Sequence, residues 1–285
     1  MIVTNVAMVA RSRFVRILKS LTISLSVGVT ALSCSGGLGF NLFSDADDVK
    51  LGRELDQEIR KNPQEYPILR DAPEVKAYVR GIVRKVLSSP DIKKRDVYAY
   101  QLEVIHDDST INAFATPGGY IYVYTGLMKV LDNEASLAGV LGHEIAHAEL
   151  RHATGRISAY YGVSVLISIV LGQNPSQFAE IAANLFTGLG FLANSRSDES
   201  QADEYSMKYL DDTEYYPGAI RFFFERISEE RNARPGTIER FLSTHPLPED
   251  RVTHVQKLLE QMGNPEPSER NLFAERYARF KEKLL

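Results

Sequence analysis

The chain has 285 residues, of which 44% are hydrophobic and 25% charged, a balance that excludes a disordered or fibrous protein. With 33 Lys and Arg against 37 Asp and Glu the formal charge is -4, which offers no basic surface for nucleic acid. The single cysteine, Cys34, excludes an intrachain disulfide and a cysteine-built zinc cluster, so a metal here has to be held by carboxylates and by the six histidines.

Residues 1–33 differ from the rest. Their only charges are Arg11, Arg13, Arg16 and Lys19, followed by the apolar run Leu21–Leu32. A basic segment, a short apolar segment and small residues make the plan of a secretory signal, and the run is well short of the ~20 residues that span a bilayer. Its end, Ala31-Leu32-Ser33-Cys34, resembles a bacterial lipoprotein signal with cleavage before Cys34, although Ala31 stands where leucine is usual. The expected organisation is a signal peptide over 1–33, a Gly/Ser/Asp-rich tether over 34–46, and one folded domain over 47–285. The domain is expected to be exported to the periplasm and lipid-anchored to the outer membrane through Cys34. Loss of the signal removes four positive charges and no negative ones, which leaves -8.

Asp47–Lys61 reads as a charged helix. Pro73–Leu87 is a clearer amphipathic one, with Val75, Val79, Ile82, Val83 and Val86 on one face. Val97–Ile105, the stretch from Asn112 through Ala115, and Tyr120–Thr125 are rich in strand formers, and Pro117-Gly118-Gly119 supplies a turn. These predict a small antiparallel sheet. Leu137, Leu141 and Ile145 mark a helix over Glu134–His152, with Asp132 and Asn133 as candidate caps. Tyr160–Gly172 and Phe178–Ala193 predict a buried or cleft-covering helical hairpin, each half too short to span a membrane. Ser197–Leu210, Pro217–Arg231, Glu249–Met262 and Pro267–Leu284 predict further helices. Strands followed by many helices, without alternation, predict an α+β fold that is mostly helical.

The chemistry concentrates in Gly142-His143-Glu144-Ile145-Ala146-His147. On a helix the i and i+4 histidines lie one turn apart on one face and can offer two imidazole nitrogens to one metal ion. Glu144 lies about 100° round from His143, where a general base for a metal-activated water belongs. A catalytic zinc needs a third protein ligand and an open fourth position. The extended pattern with Gly three and His six residues later is absent, because Leu150 and Ala153 occupy those places; His152 reads as a surface histidine or one that supports a ligand. A glutamate is therefore expected as third ligand. Glu199 is the best candidate, because Asp203 follows it at i+4 and can accept a hydrogen bond from the far nitrogen of a ligating histidine. Glu180 and Glu204 are weaker rivals.

Asp132-Asn133-Glu134-Ala135, the His143–His147 segment and Ser195-Arg196…Glu199…Ala202-Asp203 together resemble metallopeptidase family forty-eight. This gluzincin group includes HtpX, CAAX prenyl endopeptidases and periplasmic assembly-factor proteases. The resemblance covers roughly residues 47–262. It implies a zincin-like metallopeptidase domain with one zinc ion, His143, His147 and Glu199 as ligands, and Glu144 as base. No run of long membrane helices like those of HtpX occurs, so the chain resembles the soluble, exported branch, and it is expected to carry no appended helical-repeat domain. Asn112–Gly119 followed by Tyr120–Thr125 resembles the edge strand above the zinc, with Gly118, Gly119 and Tyr120 as substrate-binding positions. Thr244-His245-Pro246 with Arg251 resembles the late His-Pro stretch near the zinc; His245 would stabilise the oxyanion or fill the open coordination site. The implied function is that of an envelope zinc endopeptidase acting on unfolded or misassembled proteins. The alternative is a chaperone-like assembly factor with little or no proteolysis.

Overall fold

A computed structural model describes residues 41–170, 194–233, 238–245 and 251–284. Helices α1 (Asp45–Lys61) and α2 (Pro73–Val86) precede strands β1 (Gln101–Ile105), β2 (Ala113–Thr116) and β3 (Tyr120–Tyr124). The short α3 (Thr125–Val130), then α4 (Glu134–Glu149), α5 (His152–Val170) and α6 (Arg196–Asp211) follow. A 3-10 turn at Pro217–Ala219 leads into α7 (Ile220–Ala233), α8 (Glu239–Thr244), α9 (Arg251–Gln261), α10 (Glu269–Leu272) and α11 (Ala274–Lys281). The expected signal, Cys34 and the start of the tether lie outside the described residues, as do Phe178–Ala193 and Glu180.

The sheet is mixed rather than antiparallel. Its order is β1-β3-β2, with β3 antiparallel to β2 but parallel to β1, in the register Gln101↔Tyr120 to Ile105↔Tyr124. The tight turn at Gly118 (φ 74°) and Gly119 (φ 84°) folds β3 back on β2, and β3 then inserts beside β1. β1 also begins later than the alternation suggests. Tyr98 donates its amide to the Lys94 carbonyl in a turn, and Tyr100 takes φ 42°, so extended pairing starts only at Gln101.

Every residue of α4 is buried, so the helix is the axis of the domain rather than an amphipathic surface element. Asn133 caps it, its side chain accepting from the Ser136 amide at 2.8 Å. Small residues set its neighbours' approach. A Cβ at Gly139 would stand 2.8 Å from the Ile220 backbone nitrogen, and one at Gly142 would stand 2.9 Å from Ser206 Oγ. Ser206 in turn donates to the Gly139 carbonyl at 2.7 Å, which locks α6 across α4.

The active helix also ends earlier than the expected His152. Arg151 adopts φ 60°, and its guanidinium bonds to Asp48 and to the Phe43 carbonyl, so the chain turns before α5 starts. Residues before 47 also pack against this region. Asn41 donates to Thr154 Oγ1 at 3.0 Å, the Leu42 amide donates to Ser158 Oγ at 3.1 Å, and Phe43 is buried. Ser44 then forms a capping box with Asp47, which starts α1 at Asp45. Among the described residues no helix is long and apolar enough to cross a membrane.

Candidate metal centre

One helical turn separates His143 from His147, and the two rings meet edge-on with their Nε2 atoms 3.0 Å apart. Helix α6 delivers Glu199 to the same point. Its start is fixed by the Ser195–Asp198 capping box, and its buried face carries Glu199, Ala202, Asp203 and Ser206. Glu199 Oε1 lies 3.3 Å from His147 Nε2, and Oε2 lies 3.4 Å from His143 Nε2. His245 arrives just after α8, held by a stack on Phe241, with Nδ1 3.0 Å from Glu199 Oε1 and 3.4 Å from His143 Nε2.

These four buried residues each turn one donor atom to a common centre, all within 4.8 Å of one another. A tetrahedral zinc with ligands at about 2.0–2.1 Å has donor atoms roughly 3.3 Å apart, which the spacings of 3.0–3.4 Å match. The protonation states of His147 and Glu199 fit as well. Burial pushes His147 well below the usual histidine range, towards the free base that ligates metal. Burial alone would raise Glu199, but the charge of His245 and hydrogen bonds from the three rings hold it far below the usual carboxylate range. The cluster fits zinc.

The outward atoms of the ligand set are held too. His143 Nδ1 lies 2.9 Å from Asp203 Oδ1. Burial opposes protonation of His143, yet the hydrogen bonds to Asp203 and Glu199 outweigh it and raise the pKa to about 9. Arg251, itself buried, donates to Asp203 Oδ2 at 2.8 Å and to Glu199 Oε2 at 2.7 Å, so one guanidinium balances both acids. On the other histidine, Nδ1 of His147 and Nδ1 of His152 are 2.8 Å apart. Burial lowers His152 to about 4, which leaves it neutral and able to accept.

Glu144 stands apart from the four. Its carboxyl is 1% exposed, its Oε1 has no hydrogen-bond partner, and His245 Nε2 lies 3.6 Å away. Burial pushes its pKa up, against the charges of His245 and His143. A buried carboxylate with a free oxygen and raised basicity suits proton transfer. Glu144, His147 and His245 line a cavity of about 910 Å³, counting space continuous with solvent, together with Leu55 and Ile59 of α1, Phe114–Thr116 of β2 and Pro117.

The model of Peptidase family M48 matches residues 73–259. This chain belongs to that family. Family M48 comprises zinc metallopeptidases, in keeping with the ligand geometry. The beta-barrel assembly-enhancing protease of Escherichia coli (strain K12) is 28% identical over 233 residues, 77% of this chain and 46% of that protein. The mitochondrial metalloendopeptidase OMA1 of Schizosaccharomyces pombe is 27% identical over 186 residues, 65% of this chain and 53% of that protein. The chain thus spans about half the length of these relatives.

Within this M48 domain the structure brings His143, Glu144, His147, Glu199, Asp203 and His245 together. Glu204, the rival ligand, faces outward and pairs with Lys208. Gly118, Gly119 and Tyr120 do not line the cavity. The two glycines pack against Asp48–Val49 and the Tyr98–Tyr100 segment, while Tyr120 lies on the central strand of the sheet and packs in an aromatic cluster. The strand beside the cavity is β2, an edge of the sheet, a few residues earlier in the chain.

Two residues of the site escaped sequence reasoning. Arg251 has no role legible in the sequence, since an arginine that neutralises two buried acids from 48 and 52 residues away leaves no local pattern. Asn194, buried beside His147 and His245, went unnoticed; its only signal is a polar residue between an apolar run and the serine cap of α6.

Proposed function

We propose that this protein is a zinc-dependent endopeptidase of the bacterial cell envelope that hydrolyses peptide bonds in unfolded or misassembled proteins. The observation that carries the reading is the convergence of His143, His147, Glu199 and His245 beside Glu144, whose Oε1 has no hydrogen-bond partner, at the edge of a cavity. Bound zinc supplies Lewis acidity, polarising a peptide carbonyl and easing deprotonation of water. The residues do the rest. Glu144 takes the proton from the attacking water and passes it to the leaving amine. Asp203 keeps His143 in the tautomer whose Nε2 is free to ligate, and Arg251 offsets the charge of the two acids. An extended chain adding to the sheet edge at β2 through main-chain hydrogen bonds would favour unfolded substrates over folded ones.

Export and lipid anchoring through Cys34 to the outer membrane belong to the same proposal and rest on the signal-like residues 1–33. Mass spectrometry of the mature N-terminus tests them: a diacylglyceryl-modified Cys34 is expected, and an unmodified cytosolic chain would overturn the anchoring.

One observation favours the second reading, a chaperone-like assembly factor. His245 Nδ1 is the fourth inward donor, and a zinc with four protein ligands has no position left for water. The peptidase reading requires His245 to withdraw. Casein cleavage by the zinc-loaded protein and by its His245→Ala variant separates the two: a peptidase cleaves in at least one form, whereas a pure chaperone cleaves in neither.

A further inference from the structure

Stabilising the tetrahedral intermediate of peptide hydrolysis needs a hydrogen-bond donor aimed at the carbonyl oxygen. His245 is poorly placed for this in the observed arrangement. Its Nδ1 is turned to Glu199 and His143, and its Nε2 faces Glu144. The next polar group inward is the side-chain amide of Asn194, whose Nδ2 lies 3.2 Å from His147 Nε2 and 3.2 Å from His245 Nδ1. Asn194 is 8% exposed and lines the same cavity as Glu144.

We propose that Asn194 is a further catalytic residue, whose amide donates to the oxygen of the scissile carbonyl as that oxygen becomes an oxyanion. The inference rests on the peptidase reading and adds a role to it. Zinc would engage His147 Nε2, and in the peptidase reading His245 withdraws, so the amide is left without either ring nitrogen as acceptor. A buried donor without an acceptor is costly. A substrate oxygen beside the metal supplies the missing acceptor, and the bond strengthens as charge develops there. The residue is also held in place from both sides. Its own amide donates to the Thr244 carbonyl at 3.0 Å, which ties it to the residue before His245, and Ser195 after it is fixed by the α6 capping box. Such a donor needs little reorganisation during the reaction.

The test uses the zinc-loaded full chain and its Asn194→Ala and Asn194→Asp variants. The second preserves shape while replacing the NH2 group with an oxygen. Two quantities are measured: zinc affinity, and affinity for a phosphonamidate dipeptide, whose tetrahedral phosphorus oxygens imitate the intermediate. Zinc affinity is expected to stay within about threefold in the Ala variant, while analogue affinity falls about 100-fold in both variants. The kcat for peptide cleavage should fall by a similar factor with KM little changed. A loss of zinc like that of Glu199→Ala would make Asn194 a ligand and overturn the inference. So would analogue binding that both variants retain in full. If neither the unsubstituted protein nor its His245→Ala variant binds the analogue while both hold zinc, the peptidase reading falls and the inference with it.

Discussion

Of the three glutamates that helix α4 buries, Glu134 in its first turn and Glu144 in its C-terminal half are treated in opposite ways. Glu134 accepts from Arg276 Nε and Nη2 at 2.5 Å each, from Tyr215 at 2.5 Å, and from Tyr78. Those donors come from α2, from the segment after α6 and from α11, so one carboxylate ties three distant parts of the chain to the helix, at the end where the helix dipole favours an anion. Glu144 has burial without that company. Its Oε1 accepts nothing, and burial holds its pKa up. A saturated carboxylate contributes to stability; an unsaturated one beside a metal-shaped cluster is kept for a proton that arrives with substrate.

Substitutions at the two glutamates should separate these roles. Glu144→Gln is expected to lower casein cleavage about 10²–10⁴-fold while zinc content and fold are retained, since only proton transfer is removed. Undiminished cleavage by the zinc-loaded variant would assign the base elsewhere. Glu199→Ala should lose most of its bound zinc, which metal analysis after dialysis reads directly, because the cluster loses its only anionic donor. Asp203→Ala should weaken zinc binding or activity about 10–100-fold without abolishing either. A fluorescent zinc-chelator competition measures this, and an unchanged affinity would mean that the His143–Asp203 contact orients nothing. Glu134→Ala should leave kcat within about threefold but reduce unfolding free energy by about 3 kcal/mol or more, since Arg276 and both tyrosines lose their buried acceptor. Urea denaturation reads that loss. A collapse of activity in a protein that remains folded would erase the contrast between the two glutamates.

What could be read from the sequence follows from chain geometry. His143, Glu144 and His147 are legible because one helical turn dictates which side chains share a face, and Glu199 with Asp203 repeats that i, i+4 spacing on α6. Asn194 and Arg251 are joined to the site only by tertiary packing, and nothing periodic announces them. The strands were recognisable from their composition, but the order β1-β3-β2 was not, because alternation reports which face a residue takes and not which strand lies beside it. Asn41 and Leu42 look like linker in composition, yet they bond to Thr154 and Ser158 more than a hundred residues away.

The central claim is that the buried cluster is a zinc centre serving a separate base. Zinc content of the purified protein, measured beside Glu144→Gln and Glu199→Ala preparations, tests it most directly. One zinc per chain is expected in the first two, and a small fraction of that in the third. An unsubstituted protein that takes up no zinc, or a Glu199→Ala protein that is fully loaded, would contradict it.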